Sequence, residues 1–309
     1  MSKKNYKTTS LKNNIVYHYC SVETFQKIIT NKELWLTDVT KSNDSKELQL
    51  VFDKLTEELE QRIKKHYAIS EEFVPLSMFA EFLKEFRKIE QLFHVCCFSK
   101  DSDSLSQWAM YADNASGVAI GFDSAFFSKL KDFNENIDFC QIRYSSNSFS
   151  AITNKKISQL IDMYKRSNED DYSWYLSFMH YVIDDVLKMA YLFKDSSFKQ
   201  EHEYRIGYNS RPCFCDESVS RTPSFTQTFM PNKVNISYDV TLGEIGLYTS
   251  RGKLVSYRPL HIKDFGSAIA EIVIGPKSLI TVHDIEMLLI SNDIDLSVNN
   301  IKISNSTYQ

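Results

Sequence analysis

Short apolar runs and stripes of helical spacing take turns along the chain, the mark of a fold that mixes strands and helices. Ile15-Val-Tyr-His-Tyr-Cys20, rich in β-branched and aromatic residues, predicts a strand. Ser21 then stands as an N-cap, and Val22, Phe25, Ile28 and Ile29 form a helical stripe ending near Asn31. Leu34-Trp-Leu36 predicts a second strand. Leu48, Val51, Phe52, Leu55, Leu59 and Ile63 repeat at helical spacing, and 76–91 repeats the pattern, so 45–91 reads as a helical insertion of two amphipathic helices.

Phe93 to Ser99 is apolar between polar borders and predicts a buried strand. Ser104-Leu-Ser-Gln107 has the form of a capping box that opens a short helix carrying Trp108 and Tyr111. Further strands are expected at Gly117–Phe122, Ile137–Tyr144 and Tyr204–Tyr208, and helices over 150–165 and 171–193. The last third reads as β-rich, with strands at Lys253–Ile262 and Ala268–Ile274, a helix at Asp284–Ile290 and a final strand within Leu296–Ile303. With neither internal repeats nor a low-complexity linker, one α+β domain over 1–309 is expected.

Composition narrows the function classes. A net charge of −4 argues against a broad basic surface for nucleic acid. No run of about 18 apolar residues occurs, so no membrane span is expected, and no secretory signal is read at the N-terminus. Cys20, Cys96, Cys97 and Cys140 lie in or beside apolar runs, the usage of small hydrophobes in a reducing, cytoplasmic setting. Cys213-Phe-Cys215 lacks the partner pair of a zinc site, and no metal is expected. The glycine-rich nucleotide loops, His-Glu-x-x-His and Gly-x-Ser-x-Gly are all absent from the sequence.

The sharpest chemical signal is Glu201-His-Glu203-Tyr-Arg205 at the head of a strand. Residues two apart on an extended chain share a side, so Glu201 and Glu203 are expected to face one cleft. Paired carboxylates suit gripping ribose hydroxyls and stabilising an oxocarbenium-like centre. A polar strand entry, with the glutamates paired to Arg205 and Lys199, explains them equally simply. His18 is expected to present its ring to a cleft, against the simpler reading of a core-edge histidine bonded to a backbone carbonyl. Ser99 ends a buried strand, where ligand-binding groups often sit, or else turns the chain. Trp108 and Tyr111, three apart, offer rings for a nicotinamide or adenine, though such spacing more often serves a core.

The segments Tyr17-His-Tyr-Cys-Ser21, Leu34-Trp-Leu-Thr37 with Asn43-Asp44, Cys97-Phe-Ser-Lys100, Gln107-Trp-Ala-Met-Tyr-Ala112, Gly117-Val-Ala-Ile-Gly-Phe-Asp123, Glu201-His-Glu-Tyr-Arg205 and Ile274-Gly-Pro-Lys277 occur in this order. In that series the chain resembles the bacterial domain-of-unknown-function 2971 family. Ser45 stands where that family usually has a proline after Asn-Asp, and its glutamate is present as Glu47. A second resemblance, to ADP-ribosyltransferases, rests on His18 in the first strand, Ser99 after a central strand and Glu201-x-Glu203 in a late one. It implies a mixed, split β-sheet of the ADP-ribosyltransferase-like type and NAD as substrate. Glu203, Glu201 and His18 would then be catalytic, and His18, Tyr19, Ser99, Trp108, Tyr111 and Arg205 would hold NAD. The acceptor would be a protein, a nucleic acid or water, in a toxin or effector of antiviral defence. Two other expectations stand beside it. One is a non-catalytic module that uses the helical insertion for a partner protein. The other is a metal-dependent nuclease built on Glu201, Glu203, Asp38 and Asp44.

Overall fold

A computed structural model describes residues 15–41, 47–66, 73–86, 93–130, 137–144, 146–166, 191–209, 240–250 and 252–308. The elements run β1 (Ile15–Cys20), α1 (Val22–Asn31), β2 (Glu33–Asp38), α2 (Glu47–His66), α3 (Phe73–Phe86), β3 (Phe93–Ser99), α4 (Leu105–Tyr111), β4 (Val118–Asp123), α5 (Ser124–Ser128) and β5 (Ile137–Gln141). They continue with α6 (Ser146–Arg166), β6 (Glu203–Asn209), β7 (Val240–Leu242), β8 (Gly246–Ser250), β9 (Lys253–Ile262), α7 (Phe265–Ala268), β10 (Ile269–Ile274), α8 (Val282–Ser291) and β11 (Ile301–Ile303).

The mixed α+β class is as expected, and its sheet is open and mixed. Among the described residues eleven strands join in it, antiparallel except where β11 runs parallel to β10. β3 is the hub. One edge pairs with β6 along its whole length, from Phe93↔Asn209 to Ser99↔Glu203. The other edge is shared: β1 touches it only at Tyr17↔Ser99, and β2 only at Thr37↔Val95 and Asp38↔His94. The sheet therefore forks along that edge, into a β1-β4-β10-β11 limb and a β2-β9 limb that carries β7 and β8.

The main core lies on one face of this sheet. Leu34 and Leu36 of β2, Cys96 and Phe98 of β3, Ile120 and Phe122 of β4, and Leu260 of β9 pack there with Phe25 and Ile29 of α1. On the opposite face α4 covers β1, burying Trp108 with Tyr17, Tyr19 and Ala119. Ser21 caps α1 as predicted, its hydroxyl accepting from the Thr24 amide. Ser104 does not close a capping box: Gln107 is buried and the serine hydroxyl meets Ser106 instead. Helical periodicity placed α2 and α3 well, apart from their ends. The expected helix over 171–193 lies almost wholly outside the described residues, as do Asn43-Asp44 and Cys213-Phe-Cys215.

Candidate functional site

The register across β1, β3 and β6 decides which side chains can meet. Tyr17, Ser99 and Glu203 lie in one row across the three strands, so they share a face. Cys97 and Arg205, the next pair along, share it too. Side chains alternate along a strand, so His18, between Tyr17 and Tyr19, points to the other face. Its ring lies 5.7 Å from Phe98, among core residues. The expectation that His18 and Glu203 line one pocket is therefore corrected by a single residue of register.

His18 has a structural task. β1 leaves β3 beyond Tyr17, so among the described residues no strand pairs with Cys97 on the forked edge. His18 Nδ1 donates to the Cys97 carbonyl at 2.9 Å, which assigns the proton to Nδ1. Burial, opposed by this bond, pushes the imidazole pKa down and keeps the ring neutral.

The two glutamates do meet, by a different route from strand alternation. Glu201 ends a 3₁₀ turn over Ser196–Glu201, and His202 adopts the left-handed conformation at φ 42°, so the strand starts only at Glu203. What joins them is Lys194, whose Nζ donates to Glu201 Oε2 at 2.6 Å and Glu203 Oε2 at 3.1 Å. Arg205 closes Glu203 from the other side, Nε to Oε1 at 2.6 Å and Nη2 to Oε2 at 3.0 Å. Tyr111, at the end of α4, donates to Glu201 Oε1 at 2.9 Å. All four charged groups are deeply buried, at 7% exposure for Lys194, 3% for Glu201, 4% for Glu203 and 1% for Arg205. Burial opposes the charge on Glu203, but Arg205 and Lys194 outweigh it and hold the carboxyl well below its ordinary pKa.

Tyr111, Tyr144 and Phe198 are half-buried. Tyr144 accepts the Glu203 amide at 3.0 Å, and Phe198 lies 4.7 Å from Lys194 Nζ, a cation–π contact. Cys97, on the same face beside Glu203, has its thiol pKa pushed up by desolvation of the sulfur and by the Glu203 charge, so it stays protonated. The result is a buried, internally neutralised ionic cluster bordered by half-buried aromatic side chains.

Of the residues the sequence singled out, Glu201, Glu203, Arg205 and Tyr111 meet here. Ser99 lies beneath, fully buried, donating to the Glu201 carbonyl at 2.8 Å and accepting from the Asp101 amide; it shapes the turn. Trp108 is sealed in the core, its Nε1 bonded to Asp103 at 2.6 Å, and has no face free for a ligand ring. Tyr19 packs edge-on against Trp108 and ties down the 101–104 loop by its hydroxyl. Lys199 is exposed; Lys194 takes the pairing expected of it. Sequence reasoning missed Lys194, Cys97 and Tyr144. A lysine directly after the apolar Tyr191-Leu-Phe193 was the available signal for the first. The nuclease ligand set is not assembled either: Asp38 pairs with His94, five residues and roughly 17 Å along β3 from the Ser99 row. Among the described residues no group of three His, Cys, Asp or Glu could hold a metal. Likewise no helix among them is long and apolar enough to cross a membrane.

Fold and site together define an α+β protein with a forked open sheet and a buried ionic cluster beside the fork. Within it, the family model described as "Protein of unknown function (DUF2971)" matches residues 107–206, which bears out that resemblance over α4, β4 and the Glu201–Arg205 segment. Neither the curated proteins nor the solved structures contain a match to this chain.

Proposed function

We propose that the ionic cluster around Glu201 and Glu203 is the working site, and that it binds a ribose-bearing nucleotide of the NAD class without help from His18. The observation that carries this reading is the gathering of two buried carboxylates by one ammonium beside half-buried aromatic side chains. Carboxylate oxygens with spare lone pairs accept ligand hydroxyls, and Tyr111, Tyr144 and Phe198 offer ring faces to a base. Glu201 is the better grip, since Glu203 already takes three donors. Binding without catalysis follows from charge: two cations balance two carboxylates, leaving little net negative potential to stabilise an oxocarbenium ion. Free Cys20 and Cys96 agree with a cytoplasmic setting, where such a nucleotide is at hand.

A second reading, ADP-ribosyltransferase-like cleavage of NAD by a defence toxin or effector, is favoured by one point: Glu203 is held ionised in the same cluster as Glu201. Calorimetric titration with NAD, run beside an assay for nicotinamide release, separates the two. Saturable binding without release, weakened at least tenfold in Glu201→Gln, supports the binding module. Release that Glu201→Gln abolishes supports the enzyme. Absence of both binding and release overturns the nucleotide site altogether.

A further inference from the structure

α4 is too short to hold itself. A helix of seven residues does not persist in water without packing, and Ser104 gives this one no side-chain cap. Yet α4 carries Tyr111, whose hydroxyl reaches Glu201 Oε1 at 2.9 Å, so the ionic cluster depends on what keeps the helix in place. Packing of Trp108 against Tyr17 and Tyr19 of β1 is one tie. The segment Ser304–Tyr308 is another.

That segment leaves β11 and crosses α4 from one end to the other. At the near end stands Asp103, just ahead of the helix. Its Oδ1 accepts from Trp108 Nε1 and from the Ser304 hydroxyl, both at 2.6 Å, and its Oδ2 accepts from the Asn305 amide at 2.8 Å. One carboxylate thus fastens helix and segment together. At the far end, in the turn after α4, the Tyr308 hydroxyl donates to Asn114 Oδ1 at 2.8 Å. The Tyr308 ring lies 4.3 Å from Lys277 Nζ and packs on the same Trp108 cluster as Tyr111 does. The extended run from Asn305 to Tyr308 reaches about 10 Å, which matches the length of α4.

The far anchor is strained. Asp113, Asn114 and Ala115 hold φ of 49°, 51° and 73°, a left-handed run that residues with a Cβ resist. Neighbours keep it: the Ala115 amide donates to the Trp108 carbonyl at 2.9 Å, and the Lys277 amide to the Ala115 carbonyl at 3.0 Å. Tyr308 adds its bond to Asn114. The segment itself is lightly held. Beyond the Ser304 amide, which donates to the Ile274 carbonyl at 2.9 Å, it pairs with no strand among the described residues, and Asn305 and Thr307 are exposed. It can lift without breaking the sheet.

We propose that Ser304–Tyr308 is a releasable strap over α4. Fastened, it holds the helix so that Tyr111 reaches Glu201. Released, it lets the strained turn relax, frays α4 and frees Tyr111 while the sheet stays folded. The strap thereby sets whether Glu201 Oε1 is already bonded or open to a ligand donor, whatever ligand the cluster takes.

Native-state hydrogen exchange on the full chain tests this, read beside the carbon-13 resonance of Tyr111 Cζ, which reports the bond made by its hydroxyl. Tyr308→Ala should speed exchange of the Trp108–Ala112 amides at least tenfold and leave the β4 and β10 amides unchanged, as a local opening does. It should also move the Tyr111 resonance towards that of a solvated phenol. Tyr308→Phe, which loses the bond to Asn114 and keeps the ring, should act the same way by about threefold, the effect of one modest hydrogen bond. It decides the matter if Tyr308→Ala folds poorly. Equal acceleration in α4, β4 and β10 would make Tyr308 a general stabiliser, and unaltered α4 exchange or an unmoved Tyr111 resonance would make the strap idle; each overturns the proposal. Neither measurement involves a nucleotide, so the outcome stands apart from that of the NAD titration.

Discussion

Lys194 decides whether Glu201 and Glu203 can share a cluster. Removing one partner of a buried ionic group strands the others, at a cost of about 3–5 kcal/mol. Lys194→Met should therefore lower the urea midpoint by that equivalent, while Lys194→Arg recovers part of it; an unchanged midpoint in Lys194→Met would show the ammonium to be idle. The same geometry tells against using Glu203→Gln as a clean probe of chemistry, since it also disturbs Arg205 and Lys194. That the two glutamates belong together was legible in Glu201-His-Glu203. The reason was not, because His202 breaks the extended chain on which the argument relied. Nor was the facing of His18 legible, because a lone pairing at Tyr17↔Ser99 fixes it, and register between distant strands leaves no trace in either segment.

At the scale of elements, runs of β-branched and aromatic residues located β1, β3, β4, β6, β9 and β10 closely. β7 and β8 escaped notice, being three and five residues long and half polar; their strand character comes from pairing with β9, not from their own composition. The turn from α4 into β4 shows a constraint that single residues carry. Asp113, Asn114 and Ala115 are left-handed in succession, and Gly117 follows, so close to β1 that a Cβ would lie 2.0 Å from the Cys20 carbonyl oxygen. Gly117→Ala must push β4 off β1 and should cost about 2–4 kcal/mol. Chemical denaturation checks this, and a loss below 0.5 kcal/mol, on the order of an ordinary surface change, would contradict it.

For the whole molecule, buried histidines set the response to acid. Burial, with Arg258 adding to it and Asp38 opposing, takes His94 down to about 4 from an ordinary 6.5. Below 6.5 the unfolded chain takes up a proton that the folded chain refuses. The contribution of His94 is therefore fully present above pH 6.5 and fades as pH falls towards 4, on the order of 3 kcal/mol in all. His18 shifts in the same direction and adds the same sign. Glu203, depressed as a carboxylate, begins to lose its share only below its ordinary value of 4.5. Unfolding free energies measured from pH 7.5 to 5 should decline, and His94→Gln should flatten that decline; equal slopes would exclude His94 as its source.

The arrangement of strands also bears on how the chain is made. β4, apolar from Val118 to Phe122, gains its second neighbour only from β10, some 150 residues later. While a ribosome is still delivering the intervening stretch, that strand offers a bare row of amides and carbonyls to any passing polypeptide. Chains that end before codon 269 should therefore aggregate more than the full-length protein when both are made in a chaperone-free translation system and sedimented.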